Sequence, residues 1–181
     1  MPFGLKGAAM FKLLMGLIAL AVATGAQAAT LTPALRPLGF LVGAWKGVGE
    51  VNDTGGRAHG VSTMSIEADG NALLRNDRNE VFDKAGKPTR AFHQMMLIYS
   101  DAGGVLGDYV DGEGHVIHYG PAAIVDGRSV EFLSIASAGA PVFRLRYDAV
   151  GVDTLKISFS IQPPGQSAFQ PIAVGEVRRV K

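Results

Sequence analysis

The chain has no cysteine among its 181 residues. This absence excludes thiol catalysis, thiolate metal sites, disulfides and thiol–disulfide exchange. It also excludes lipid attachment at a lipobox cysteine. The protein must therefore be held together by the packing of its core, and about 150 residues are enough for one substantial core.

Sequence signatures of common catalytic sites are missing as well. The chain contains no Gly-x-Ser-x-Gly elbow, no His-Glu-x-x-His, no Gly-x-x-x-x-Gly-Lys phosphate loop and no Gly-x-Gly-x-x-Gly between a strand and a helix. The 17 basic and 16 acidic residues nearly balance, and no basic run occurs. We therefore expect no nucleic-acid partner and no attraction to an anionic membrane surface.

Residues 1–28 have the pattern of a cleavable export signal. Two lysines are followed by an apolar stretch at 13–23 and by the small-x-small sequence Ala-Gln-Ala at 26–28. The apolar stretch is shorter than the roughly 20 residues that a membrane-spanning helix needs, although an uncleaved N-terminal anchor is the alternative. We expect a mature chain of 29–181, periplasmic or secreted and without stable membrane insertion, that carries 15 basic and 16 acidic residues.

From Leu41 onward the sequence predicts strands rather than helices. Short segments rich in β-branched and aromatic residues alternate with Asp-Gly and other glycine-rich turns, the pattern of a sandwich or a barrel. We predict ten antiparallel strands, at 42–51, 58–67, 72–82, 90–100, 104–110, 115–124, 129–135, 142–149, 154–162 and 169–180. Successive hairpins without a long crossover favour one meander barrel domain, and a barrel of about 8–10 strands has room for one small ligand.

Two local features qualify this prediction. A helical turn is expected at 32–36, with Pro37 discouraging its continuation. The third segment, which contains Arg75, has polar groups on both faces. Such a strand either lies at an exposed edge or lines a cavity that contains polar groups, and the exposed edge is the simpler interpretation.

The first strand carries the most specific motif. Residues 38–50 read LGFLVGAWKGVGE, and Trp45 is the only tryptophan. This stretch resembles the opening of the calycins, which include lipocalins, fatty-acid-binding proteins and nitrobindin-like proteins. It is most similar to the nitrobindin-like calycins and to related exported bacterial proteins of unknown function. The resemblance implies an antiparallel barrel whose first-strand tryptophan lies beneath a basic side chain of the last strand. Here Arg178 or Arg179 is placed to cover Trp45 by cation–π attraction and to bond the lead-in turn.

The ligands of these families do not transfer to this chain. Nitrobindins hold haem through a histidine near the C-terminus, and this chain has no histidine after His118, so we do not expect haem. Fatty-acid-binding proteins hold a carboxylate with Arg-x-Tyr late in the barrel. The nearest sequence here is Arg-Leu-Arg-Tyr at 144–147, in which the spacing differs.

Side chains able to perform chemistry are most concentrated between Asp108 and Tyr119. A turn at 111–114 brings Tyr109 or Asp108 across from His118 and brings Asp111 close to His115. A carboxylate bonded to imidazole suits a general base or a metal ligand, although an ordinary hairpin turn also explains the pattern. His115 and His118 are three residues apart and point to opposite faces of a flat strand, so we expect no shared metal.

The fourth segment is apolar on both faces, with His93 and Met95 on the same one. Methionine adapts to ligands of variable shape, but it also fills ordinary cores. Both residues are therefore candidate contacts for a ligand inside the barrel.

The sequence supports three hypotheses. The first is an exported barrel that binds a small apolar or amphipathic molecule, with no resident cofactor. Its candidate site residues are Arg75, His93, Met95, Tyr109, Asp111, His115 and His118. The second is an acid–base enzyme, an isomerase or hydrolase, that uses Asp111, His115 or His118 in the same cavity. The third is a structural or interaction domain with a solid interior.

Overall fold

The computed structural model describes residues 29–51 and 56–181, so the export signal expected at 1–28 lies outside the described residues. Eleven strands and two short 3-10 helices follow one another along the chain. They are η1 Arg36–Leu41, β1 Gly43–Val51, β2 Gly56–Glu67, η2 Ala68–Gly70, β3 Ala72–Phe82, β4 Pro88–Asp101, β5 Gly104–Asp111, β6 Val116–Tyr119, β7 Ala123–Val125, β8 Ser129–Leu133, β9 Val142–Gly151, β10 Thr154–Gln162 and β11 Gln170–Arg179. No helix within the described residues is long and apolar enough to cross a membrane.

All eleven strands belong to one antiparallel sheet, with the order β6-β5-β4-β3-β2-β1-β11-β10-β9-β8-β7. Consecutive strands pair with each other except β6 and β7, which lie at the two ends of this order, and the first strand pairs with the last. The predicted all-β meander is therefore confirmed. The count differs by one because the segment predicted at 115–124 is divided into β6 and β7.

The division has a local cause in Gly120 and Pro121. Proline has no N–H to give to a ladder, and the chain bends there from one partner strand to another. Before the bend the segment pairs with β5, and after it with β8. At the bend Tyr119 bridges to Ser134, and the backbone N–H of Gly120 bonds to the carbonyl of Leu133 at 2.9 Å. The two ends of the curled sheet therefore meet through this one bent segment.

The segment before β1, residues 29–42, covers one end of the barrel. We call this segment the lead-in and this end the closed end. The predicted helical turn is confirmed, because the N–H of Arg36 bonds to the carbonyl of Thr32 at 2.9 Å. Pro37 does not end it, which corrects our expectation: it lies in the first turn of η1, where its missing N–H is not needed. The leucines at 35, 38 and 41 are fully buried beneath this cover.

Trp45 packs under Arg179 at the closed end, as the resemblance implies. The guanidinium carbon lies 4.1 Å from the centre of the indole ring. Nη1 and Nη2 of Arg179 donate hydrogen bonds to the lead-in carbonyls of Val42 and Phe40. The indole N–H donates to the carbonyl of Leu41 at 2.8 Å. Arg178 points outward and pairs with Glu176, so Arg179 is the covering residue.

Candidate functional site

Strand β3 carries charged side chains into the barrel. It lies in the interior of the sheet between β2 and β4, so the interpretation of this strand as an exposed edge is wrong. Arg75, Asp77 and Asn79 alternate with exposed Asn76 and Arg78, which places the first three on the inner face. Arg75 and Asp77 are 7% and 8% exposed, respectively. A buried ion pair is costly unless its hydrogen bonds are satisfied, so its partners decide whether it is stable.

Each of the three nitrogens of the Arg75 guanidinium donates a hydrogen bond. Its Nε donates to Oδ2 of Asp77 at 2.7 Å, and its Nη2 lies 2.6 Å from the same oxygen. Nη2 also donates to Oε1 of Gln94 at 2.9 Å, and Nη1 donates to the hydroxyl of Tyr147 at 2.6 Å. Burial acts to lower the pKa of Arg75, but the Asp77 carboxylate and the Tyr147 oxygen outweigh it and raise this pKa above its ordinary value. Arg75 is therefore a fixed cation inside the barrel.

Asp77 is only partly satisfied. A carboxylate commonly meets arginine through both oxygens, but here two guanidinium nitrogens share the single oxygen Oδ2. Among the buried side-chain nitrogen and oxygen atoms of the described residues, Oδ1 of Asp77 is the one without a hydrogen-bond partner. An unsatisfied buried acceptor costs about 1–3 kcal/mol, and more when charged. Such an atom in a folded protein calls for an explanation.

Three tyrosines surround this pair. Burial raises the pKa of Tyr147, of Tyr119 and of Tyr109 above the ordinary value, while the nearby Arg75 charge acts in the opposite direction. All three are therefore neutral phenols near pH 7. With Arg75, Asp77, Gln94 and Asn79 they form the polar cluster, a term used below for these seven residues.

The interior beside Trp45 is nearly solid. The enclosed gap there measures only about 10 Å³ and is lined by Leu41, Trp45, Ser62, Met64, Tyr147, Leu155, Ile157 and Val177. A gap of this size holds about one water molecule. A drug-sized ligand needs roughly 300–1,000 Å³. The closed half therefore has no room for a ligand, in agreement with dense packing of a core.

The opposite half of the interior, which we call the far half, is built differently. Its inner face on β1, β2 and β11 has mostly small residues, namely Gly47, Gly49, Ala58, Gly60, Ala173 and Gly175, and Val51 is the larger exception. The flanking strands contribute half-buried aromatic rings, Phe92 on β4 and the stacked pair Phe143 and Phe159, whose centroids are 5.7 Å apart. Solvent reaches these side chains, and the polar cluster lies between them and the closed half.

The residues expected from the sequence divide between the two faces of the sheet. Arg75 and Tyr109 lie inside, and the Arg75 guanidinium is 6.0 Å from the centre of the Tyr109 ring. His93 and Met95 alternate with inward-facing Phe92, Gln94 and Met96, so both lie on the outer face. This corrects their expected place inside the barrel. The physical reason is the register of β4, whose buried side chains are the even-numbered ones.

His115 and His118 also lie outside, and each side chain is 66% exposed. Asp108 lies directly across from His118, and its Oδ1 is 2.6 Å from the ring Nδ1, while Tyr99 donates to Oδ2 at 3.1 Å. The expected pairings are therefore confirmed, but on the outer surface. An acid–base reaction inside the cavity needs an inward imidazole, and neither of these histidines supplies one.

Asp111 lies at the rim of the far half and organises the β5–β6 turn. Its Oδ1 accepts the backbone N–H groups of Glu113 and His115 at 3.0 Å each, and its Oδ2 accepts the Tyr109 hydroxyl at 3.0 Å. The ring of His115 also lies 2.9 Å from Oδ2. Asp111, Glu113 and His115 are close enough to hold a cation. The carboxylate of Asp111 is already occupied by the turn, so hairpin geometry explains the group.

A shallow groove of about 500 Å³ lies on the outer face of β1 and β11, lined by residues that include Glu50, Arg57, Lys156 and Glu176. It is open to solvent and lined by charges of both signs. We do not consider it the site, because nothing in it is buried or unsatisfied.

Five members of the polar cluster are not among the site residues expected from the sequence: Asp77, Asn79, Gln94, Tyr119 and Tyr147. For Asp77, the signal was present in the alternation of Arg75, Asp77 and Asn79 along one face of β3. For Tyr147, no local signal existed, because it shares an apolar face with Phe143 and Leu145.

Comparison with solved structures places the fold. The chain is similar to Rv2717c from M. tuberculosis, with a TM-score of 0.57 and 17% identity over 83% of this chain and 99% of that one. It also matches EF1p2_mFAP2b bound to DFHBI (TM-score 0.46, 11% identity, covering 81% of this chain and 99% of that one) and a de novo designed fluorescence-activating β-barrel (0.40, 12%, 82% and 100%). The latter two TM-scores are too low to carry an argument. No family model and no curated protein matches the chain. The fold is a calycin-like β-barrel.

Proposed function

We propose that the protein binds a small, largely apolar molecule in the far half of the barrel, with the polar end of the molecule at the polar cluster. The observation that carries the proposal is the buried Arg75–Asp77 pair inside the barrel, with one oxygen of Asp77 unsatisfied. Apolar residues of similar volume would be at least as stable at these positions in many proteins. A binding role gives this costly arrangement a purpose.

The walls of the far half support the same conclusion. Ligand sites are mostly apolar, with a few polar groups that fix the orientation of the molecule. The inner residues of β1, β2 and β11 are small, and the half-buried rings of Phe92, Phe143 and Phe159 are partly open to solvent. Aromatic rings suit a flat or unsaturated ligand, since offset stacking adds about 0.5–1.5 kcal/mol per pair.

The first test is native mass spectrometry of the protein purified from its own host. We expect a small molecule to accompany the protein and to be lost on unfolding. Repeated preparations without any bound molecule would count against the proposal.

A matched pair of variants locates the site. Ala58→Phe places a bulky ring on the inner face of β2, where the molecule is proposed to bind, so we expect at least about a tenfold loss of affinity for the accompanying molecule, equivalent to about 1.4 kcal/mol. Val48→Phe places the same ring on the outer face, where Val48 is 51% exposed, and should bind as the unchanged protein does. Equal affinities for all three proteins would contradict a site in the far half.

We also propose that the protein is exported and works as the mature chain from residue 29. The support is the sequence pattern of residues 1–28 described above. N-terminal sequencing of the protein from its host should begin at Ala29. Recovery of the full-length chain from the cytoplasm would reject export.

A further inference from the structure

We infer that the ligand bound in the far half presents a hydrogen-bond donor, a hydroxyl or an amine, to Oδ1 of Asp77, and that carboxylates are excluded. This inference rests on the proposed function and specifies its ligand class. It follows from the one buried side-chain oxygen that lacks a partner among the described residues. An acceptor in this position is completed only by a donor.

The position of Asp77 supports this assignment. Along the inner face of β3 it lies one step nearer the far half than Arg75, and Asn79 follows it. Across the strands it pairs with Ser62 of β2 and Gln94 of β4, both of which are half-buried. A polar group that enters from the far half therefore reaches Asp77 before it reaches Arg75.

Arg75 is already engaged within the polar cluster. Each of its three nitrogens already donates to Asp77, Tyr147 or Gln94 at 2.6–2.9 Å. Its charge is balanced by Asp77, and Asp111 at the rim adds a further negative charge. At Asp77 a ligand carboxylate would meet a buried carboxylate, which the low polarity of the interior makes unfavourable. The cation at the rim, Arg90, stacks on Phe92 at 4.9 Å and is already paired with Glu113 at 3.3 Å.

The experiment compares three naphthyl probes that differ in one group: 2-naphthalenemethanol, 2-naphthalenemethylamine and 2-naphthoate. Their affinities for the whole mature protein are measured at pH 7 by isothermal titration calorimetry. The alcohol and the amine are expected to bind at least about tenfold more tightly than 2-naphthoate, which corresponds to one hydrogen bond to a charged acceptor. If 2-naphthoate binds as well as the amine, the barrel is a binding protein but the inference is wrong. If none of the probes binds, the inference is wrong, and native mass spectrometry of the protein from its host decides the proposed function separately.

Two variants test the role of Asp77 itself. Asp77→Asn gives Arg75 an unbalanced charge, so the preference for the amine over 2-naphthoate should fall by at least about tenfold. Asp108→Asn removes a carboxylate from the outer face and should leave the preference unchanged. An Asp77→Asn protein that folds and keeps the full preference would overturn the inference. If this variant does not fold, the ranking of probes by the unchanged protein decides the question.

Discussion

Arg75 and Tyr147 lie 72 positions apart in the chain, yet the guanidinium Nη1 donates a 2.6 Å hydrogen bond to the phenolic oxygen. The two residues come from β3 and β9, which are separated by four strands in the sheet. The bond therefore crosses the interior and connects the two arms of the curled sheet.

Removal of Arg75 alone should be severely destabilising. Arg75→Met leaves the Asp77 carboxylate buried without its cation, so we expect a loss of about 3–5 kcal/mol in the free energy of unfolding. The double variant Arg75→Met with Asp77→Val removes both charges and should recover at least about half of that loss. Urea denaturation measures both. A double variant less stable than Arg75→Met would show that the pair contributes more than mutual neutralisation.

The Arg179 side chain that covers Trp45 gives a second prediction. Arg179→Met removes a cation over the indole and two bonds to lead-in carbonyls, so unfolding should become easier by about 2–4 kcal/mol. Trp45 emission should also shift to the red as water reaches the ring. Arg178→Met is the matched control, because its exposed ion pair contributes at most about 0.5–1 kcal/mol. Equal effects at the two positions would contradict the covering role of Arg179.

A third prediction concerns the close approach of β1 and β11. A Cβ on Gly47 would collide with the carbonyl oxygen of Glu176, which is backbone and cannot move aside cheaply. Gly47→Ala should therefore lower stability by about 2–3 kcal/mol. Gly151→Ala would meet Thr154 only at 3.7 Å and should lie within about 0.5 kcal/mol of the unchanged protein. Thermal or urea unfolding of the two variants separates these outcomes.

The fourth prediction concerns acid stability at Asp111. Burial acts to raise the pKa of this carboxyl, but hydrogen bonds from His115, Tyr109 and the Glu113 N–H outweigh burial and lower the pKa. Because the folded pKa is below the unfolded value of about 3.9, the stabilisation is present above that pH and is lost as the pH falls through the folded pKa. The Asp111→Asn variant has no ionisable carboxyl at this position, so its stability lacks this dependence on pH.

Urea midpoints measured from about pH 5 to pH 2.5 test this linkage. The unchanged protein should lose more stability over that range than Asp111→Asn, which starts lower at neutral pH. Parallel profiles for the two proteins would contradict the assignment.

The strands and the closed end could be predicted because their signals are local. The alternation of apolar and polar residues along β10 and the glycine-rich turns indicate where strands lie. The motif around Trp45, together with an arginine near the end of the sequence, is specific enough to predict that the arginine covers the indole. The split at Gly120 and Pro121 could not be read from alternation, since it depends on where the curled sheet meets itself.

The polar cluster could be predicted only in part for the same reason. Arg75 and Tyr109 are polar residues at plausible inner positions, but one partner of Arg75, Tyr147, comes from a distant strand. Tyr147 has the sequence context of an ordinary core residue, and only closure of the barrel brings it to Arg75. For His118, a shift of one residue in register decides between cavity and surface, and the sequence did not determine that register.

The pairing of β1 with β11 also constrains how the protein is made. Gly43–Val51 emerges from the ribosome long before Gln170–Arg179, the strand that pairs with one of its edges. The arginine that covers Trp45 belongs to that later strand, so the indole of a nascent chain lacks its cover until residue 179 has been synthesised. Such long-range pairing makes folding slow. A chain that stops before residue 170 lacks both the pairing of β1 with β11 and the arginine that covers Trp45.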